Sequence, residues 1–343
     1  MPSAEFVSGR RQEVAEILVT HSAAEVPDSV EALAGRELYM LRGSSYAEHL
    51  RELNRRFDEQ GIDPIEVIEA DSHLLSEDIL EMVNAGVVTA TIIDDFKGRL
   101  WQQVLDDIRL HEDIAIKRDN HVGWAIRKGN PELKASLDEF AHKVKRGTLL
   151  GNVLFKRYFE ETRWIENPLA NVEHERYEKY LDLFRKYGRK YDFDYLALVA
   201  QSFRESGLDH SRQSHRGAVG LMQLLPSTAR DKNVGIPDIG DPENNIHAGA
   251  KYLAFLRDRY FSDGALSEVD RLAFSWAAYN AGPAKVRRMR ELAKELGRDP
   301  NRWFGHVEVA AGKIVGRETV KYVDDIYKYF IAYRLIADLD SDG

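Results

Sequence analysis

Residues 194–223 read DYLALVAQSFRESGLDHSRQSHRGAVGLMQ, and this stretch decides how the second half of the chain is understood. A helix from Asp194 presents Leu196, Val199 and Phe203 on one face and runs into Glu205, Ser206 and Gly207. Gly207 is a helix terminator, which puts Glu205 in the last turn. A carboxylate there feels the negative end of the helix dipole, and apolar neighbours such as Phe203 disfavour its charge, so both effects raise its pKa. A general acid must keep its proton near neutral pH, and this placement helps. Taken alone, a Glu-Ser pair at a helix end reads better as a solvated surface feature.

Around this stretch the chain is helical. Apolar spacing predicts helices over Glu173–Tyr187, Pro226–Lys232, Pro242–Tyr260, Asp270–Tyr279, Ala284–Leu296 and Glu318–Ile336, with Asp241 and Pro242 forming a helix start. The segment Glu166–Asn171, with Asn167 and Pro168, breaks the periodicity, and the domain boundary is expected there, dividing 1–167 from 168–343. Before it, strands alternate with helices: Glu37–Leu41, a turn at Gly43, Ser44 and Ser45, a helix over Tyr46–Phe57, a strand at Ile65–Ile68, a helix over Ser76–Asn84, a β-branched run at Val87–Ile93 and a strand at Val122–Arg127. Helices are expected over Pro131–Lys145 and Leu149–Glu160. The fold class is therefore α+β and multidomain, an N-terminal α/β lobe with a parallel or mixed sheet followed by an all-α domain.

Composition narrows the function. The chain has 343 residues, 43% hydrophobic and 31% charged, with a formal net charge of -9. No segment concentrates basic residues among aromatics, so nucleic acid is not an expected partner. Cysteine is absent, which removes disulfides and thiolate chemistry. His210, His215, His247 and His306 lack ligand spacing, so no metal and no cofactor is expected. Apolar runs fall far short of the about 20 residues that a membrane span needs, and Met1–Arg11 lacks the apolar stretch of an export signal.

The residues following Glu205 form an ordered set: Ser214; Gly217 to Gln223 (GAVGLMQ); Pro226, Thr228 and Ala229; Asn245, Ile246, Gly249, Tyr252 and Leu253; Ala278 to Pro283 (AYNAGP); and Glu318, Thr319, Tyr322 and Val323. This set resembles the goose-type lysozyme-like domain of the lytic transglycosylases over about Val172 to Ile336. The resemblance implies that Glu205 is the single catalytic acid. It also implies that Ser206, Ser214, Gln223 and Tyr322 hold the sugar and its N-acetyl group or orient the acid, that Met222 lies under the sugar, and that Tyr279 and Asn280 form the cleft floor. Met222, Tyr279 and Tyr322 also fit core packing, Asn280 a helix cap, and Ser206 reads equally as a group that satisfies the helix end.

Two-carboxylate glycosidases need a second Asp or Glu across the bond. Asp209, Asp231 and Asp241 are better explained by turns and caps. The resemblance supplies an alternative, assistance by the substrate's 2-acetamido group and a 1,6-anhydromuramoyl product from peptidoglycan glycan strands. A hydrolytic muramidase and a non-catalytic sensor of muropeptides or glycan strands are the other readings.

In the first half, Gly43, Ser44 and Ser45, then Gly86 and Thr91 leading to Asp94, and Gly123, Trp124 and Ala125 resemble one lobe of the solute-binding domain found in the membrane-bound lytic murein transglycosylase F family. That resemblance implies a regulatory ligand, such as a muropeptide, near Gly43, Ser44, Ser45 and Asp94, although a Ser capping the helix fits the turn as well. A complete two-lobed domain needs an initial lobe of roughly 80 to 100 residues before the crossover near Val14 to Thr20, and only about 25 precede it here. The expected place of work is the periplasm, with outer-membrane association and an export signal outside this sequence.

Overall fold

The computed structural model describes residues 4–6, 12–144, 147–155 and 174–341, and the chain divides into two compact units, Met1–Ala170 and Asn171–Gly343. The segment in which sequence places the boundary, 166–171, lies outside the described residues, as do the ends of three predicted helices, 145, 156–160 and 173.

The first unit runs β1 (Ala4–Phe6), β2 (Gln12–His21), β3 (Glu37–Leu41), α1 (Ser45–Gln60), β4 (Glu66–Ala70), α2 (Ser76–Asn84), β5 (Ala90–Asp94), α3 (Asp95–Trp101), β6 (Ile108–Val122), β7 (Ala125–Arg127), α4 (Pro131–Lys143) and α5 (Leu149–Phe155). Its five-stranded sheet has the order β4-β3-β5-β2-β6. The sheet is mixed: β3 lies parallel to β4 and β5, while β2 lies antiparallel to β5 and β6. Leu18, Leu38, Met40 and Ile92 from the strands bury against Leu50, Leu53 and Phe57 of α1, which fixes which face of the sheet α1 covers.

The predicted strand at Val122–Arg127 is corrected. A much longer strand, β6, ends at Val122, and Ala125–Arg127 is a separate short strand that pairs with β1. The alternation that would reveal β6 is blurred because its pairing with β2 shifts register three times between Val14 and Leu18.

The second unit is helical: α6 (His174–Tyr191), α7 (Tyr195–Ser206), α8 (Pro226–Arg230), α9 (Pro242–Tyr260), α10 (Glu268–Ala281), α11 (Pro283–Glu295), α12 (Glu308–Ile314) and α13 (Arg317–Ser341), with an irregular turn at Trp303–Val307 before α12. The Asp194 carboxylate accepts from the Leu196 N–H at 3.0 Å and starts α7, and Gly207, at φ 67, ends it. At α9 the Asp241 carboxylate accepts from the Asn244 N–H at 3.0 Å, with Pro242 in the first turn. Helix α7 packs between α6 and α13, its Phe203 ring edge-on to Tyr329 at 4.8 Å, so the residues at its C-terminal end are held by a buried stem.

Candidate active site

Glu205 is the penultimate residue of α7, half-buried, and its Oε1 accepts a hydrogen bond from the Tyr322 hydroxyl of α13 at 2.6 Å. Burial pushes the Glu205 carboxyl up to about 7 from 4.5, while the Tyr322 hydrogen bond and the charges of Arg204 and Arg212 pull the other way. The desolvation is supplied by the helices around it, and Tyr279 and Tyr322, the neutral phenols beside it, are themselves held well above the usual tyrosine range, chiefly by burial. The Arg204 guanidinium does not reach the carboxylate. It donates to Asp325 at 2.8 Å and lies over the Tyr322 ring, 5.6 Å from its centroid, which clamps that ring from one side.

Behind Tyr322 stands Gln201, one turn before Glu205 on α7 and fully buried. Its Nε2 donates to the Tyr322 oxygen at 3.3 Å, and its Oε1 has no hydrogen-bond partner among the described residues. Sequence reasoning passed over Gln201. The only signal was a polar residue four positions before the acid, on the same helix face, amid Leu198, Val199 and Ala200.

Opposite the acid, the loop from Gln213 to Leu224 folds back on itself through bridges of Val219 with Gln213 and Leu224. Asn245, fully buried on α9, accepts from the Met222 N–H at 2.8 Å and donates to the Val219 carbonyl at 2.9 Å and to the Ile239 carbonyl at 3.1 Å. Beneath the loop, Met222 is fully buried against Gly249, where an added Cβ would come within 2.6 Å of the methionine side chain. The Tyr279 hydroxyl donates to the Met222 carbonyl at 2.8 Å from the far side.

Ser206, also buried, donates to the Leu221 carbonyl at 2.9 Å, so the end of α7 and this loop are tied together next to Glu205. Met222 and Ser206 therefore face inward, both buried beneath the loop. Gln223 and Ser214 are partly exposed on the loop. Gln223 takes a left-handed φ of 42 and donates its amide to the Arg212 and Gly220 carbonyls, each at 3.0 Å, while the Ser214 hydroxyl accepts from the Ala218 N–H at 3.0 Å. Asn280 is exposed at the end of α10 and accepts from the Thr319 hydroxyl at 2.7 Å. Asp209, Asp231 and Asp241 each accept a backbone N–H within their own turn or cap.

In the first unit, Gly43 takes φ 71, the Ser44 hydroxyl caps α1 by accepting from the Ala47 N–H at 3.3 Å, and Ser45 donates to Glu16 at 3.3 Å. Asp94, at the end of β5, lies within ion-pair reach of Lys97 at 3.4 Å. Glu16 is buried and also contacts His49 at 2.7 Å and accepts from Asn120 at 2.9 Å.

Residues 182–301 match the family described as Transglycosylase SLT domain, so the helical unit carries such a domain, with Tyr322 beyond the matched stretch. Across most of its length the chain is homologous to membrane-bound lytic murein transglycosylase F. It is 29% identical to that protein from Desulfosudis oleivorans over 334 residues, covering 92% of this chain and 71% of the relative. To its counterpart from Pseudomonas fluorescens it is 28% identical over 340 residues, covering 93% of this chain and 66% of the relative. Among solved structures, an amino acid ABC transporter substrate-binding protein from Streptococcus pneumoniae, bound to L-arginine, aligns with 46% of this chain and 62% of its own at 18% identity and a TM-score of 0.38.

Proposed function

We propose that this chain is a peptidoglycan lytic transglycosylase that cleaves the β-1,4 bond between N-acetylmuramoyl and N-acetylglucosaminyl residues, with Glu205 as acid and then base. The observation that carries the reading is the Glu205 carboxyl itself, desolvated to a pKa of about 7 yet reachable from solvent, with Tyr322 on one oxygen. Protonated Glu205 gives its proton to the glycosidic oxygen as the bond from that oxygen to C1 breaks. The oxygen of the 2-acetamido group attacks C1 and carries the charge there. The resulting Glu205 carboxylate then takes the proton of the C6 hydroxyl as O6 displaces the acetamido oxygen at C1. The acid is restored, and the product ends in a 1,6-anhydro ring with no water consumed. A lone carboxyl suffices for this sequence, which accords with the turn and cap roles of Asp209, Asp231 and Asp241.

In this reading Ser214, Gln223, Tyr279 and Asn280 shape the glycan-facing side, while Ser206 and Met222 act from within by holding the loop. The chemistry belongs to residues 168–343. Residues 1–167 modulate it, with muropeptides as the ligand class at Gly43, Ser44, Ser45 and Asp94. The substrate places the work at the cell wall, in the periplasm and near the outer membrane. No helix among the described residues is long and apolar enough to cross a membrane.

The test is to incubate the protein with sacculi and weigh the released muropeptides. Products lighter by one water than reducing-end muropeptides, absent with Glu205→Gln, support the reading. Reducing-end products would make the chain a hydrolytic muramidase, and binding without release would make it a sensor.

A further inference from the structure

We propose that Gln201 is a positioning residue that sets the direction of the hydrogen bond between Tyr322 and Glu205, so that the transferable proton rides on Glu205 Oε2. The inference rests on the assignment of Glu205 as the acid. A phenol has one proton to give, and its oxygen can also accept. Gln201 Nε2 donates into the Tyr322 oxygen at 3.3 Å, so the phenol proton is turned away from Gln201 and toward Glu205 Oε1, 2.6 Å away. With Oε1 occupied as an acceptor, the acid form of Glu205 must carry its proton on Oε2, the oxygen that Tyr322 leaves free for a sugar.

The opposite amide orientation would do the reverse. Gln201 Oε1 would accept the phenol proton, and Tyr322 would present a lone pair to Glu205, repelling the carboxylate that forms after each proton transfer. The observed orientation leaves Gln201 Oε1 buried without a partner among the described residues, an unfavourable state for an amide oxygen. The amide thus aims its N–H at Tyr322, and the phenol's own proton is left for Glu205. Gln201 is fully buried on α7, and Arg204, bonded to Asp325, covers the Tyr322 ring.

The experiment is a double-mutant cycle in the full chain, with turnover of solubilised glycan strands measured across pH for wild type, Gln201→Met, Tyr322→Phe and the double variant. Methionine keeps the volume of glutamine and removes the donor. The groups facing Glu205 are Tyr322 of α13, Tyr279 of α10, Arg204 of α7 and Arg212 of the following loop, and the cycle changes none of the last three. Gln201→Met is expected to lower kcat about tenfold with KM unchanged, because part of the population now carries its proton on Oε1. It should also move the fall of activity at high pH upward, since the hydrogen bond that favours the Glu205 carboxylate is weakened. In the Tyr322→Phe background the same substitution should change neither kcat nor the pH profile, because Gln201 acts through the phenol. Losses that multiply in the double variant, or a Gln201→Met profile identical to wild type, overturn the proposal. Loss of all activity in the wild-type protein, or activity retained by Glu205→Gln, would instead remove the assignment of the acid on which it rests.

Discussion

The two units each bury a glutamate, and the two sites diverge in what surrounds the carboxylate. Glu16 is 1% exposed and meets His49, Ser45 and Asn120. Burial raises its pKa, and the His49 contacts oppose the rise. Glu205 is half-buried and has the Tyr322 hydroxyl on one oxygen. Desolvation raises both, and at Glu205 it outweighs the opposing Tyr322 hydrogen bond and the Arg204 and Arg212 charges, lifting the carboxyl to about 7. A buried carboxylate enclosed by donors is a structural tie, whereas one that is desolvated and under-bonded is poised to exchange a proton.

The sharpest way to break this contrast is on turnover. Glu205→Gln should lose at least about a thousandfold in release of muropeptides from sacculi, since the amide keeps the shape but has no transferable proton. Glu16→Ala should leave the turnover of folded protein unchanged. It should instead destabilise the first unit by about 2 to 4 kcal/mol in urea unfolding, because His49, Asn120 and Ser45 lose their common partner. A Glu16→Ala protein that unfolds like wild type but cleaves slowly would reverse the two roles.

A third test uses stability against pH. The folded-state pKa of Glu205, about 7, lies above its ordinary value of 4.5, so the folded state holds a proton that the unfolded chain has released between those values. Wild-type stability should therefore fall as pH rises from 4.5 to about 7 and level off above. Glu205→Gln should be more stable than wild type by about 1 to 3 kcal/mol at pH 8, with partial exposure favouring the lower end, and equal to it near pH 4. Thermal unfolding of both proteins at the two pH values checks the sign. The smallest effect is expected from Tyr279→Phe, which removes the hydrogen bond to the Met222 carbonyl and should cost about 1 kcal/mol of stability.

Much of the fold was legible because its signals are local. Asp194 and Gly207 bracket α7, Asp241 and Pro242 start α9, and Glu37–Leu41 and Ser76–Asn84 match β3 and α2 residue for residue. What escaped depends on distant partners. Helix α3 carries Gly98 at its centre, an unfavourable residue in isolation, yet an added Cβ would meet Leu110 of β6 at 3.0 Å. Strand β6 hides its alternation in bulges against β2, and the turn at Trp303–Val307 with α12 has no periodicity to find. At the site, the apolar stripe of α7 and Glu205 could be read directly, but Gln201 acquires meaning only through Tyr322, 121 residues away in the chain.

That separation has a temporal side. Glu205 and Tyr322 are 117 residues apart, and α13 is the last helix in the described chain. A growing polypeptide exposes the acid long before the phenol exists, and the pair can meet only when α13 docks on α7 at the end of folding. In the reading proposed above, an unfinished or C-terminally clipped chain carries a glutamate but no aligned proton. A blade for the cell wall would thus be sharpened last, after the rest of its handle is complete.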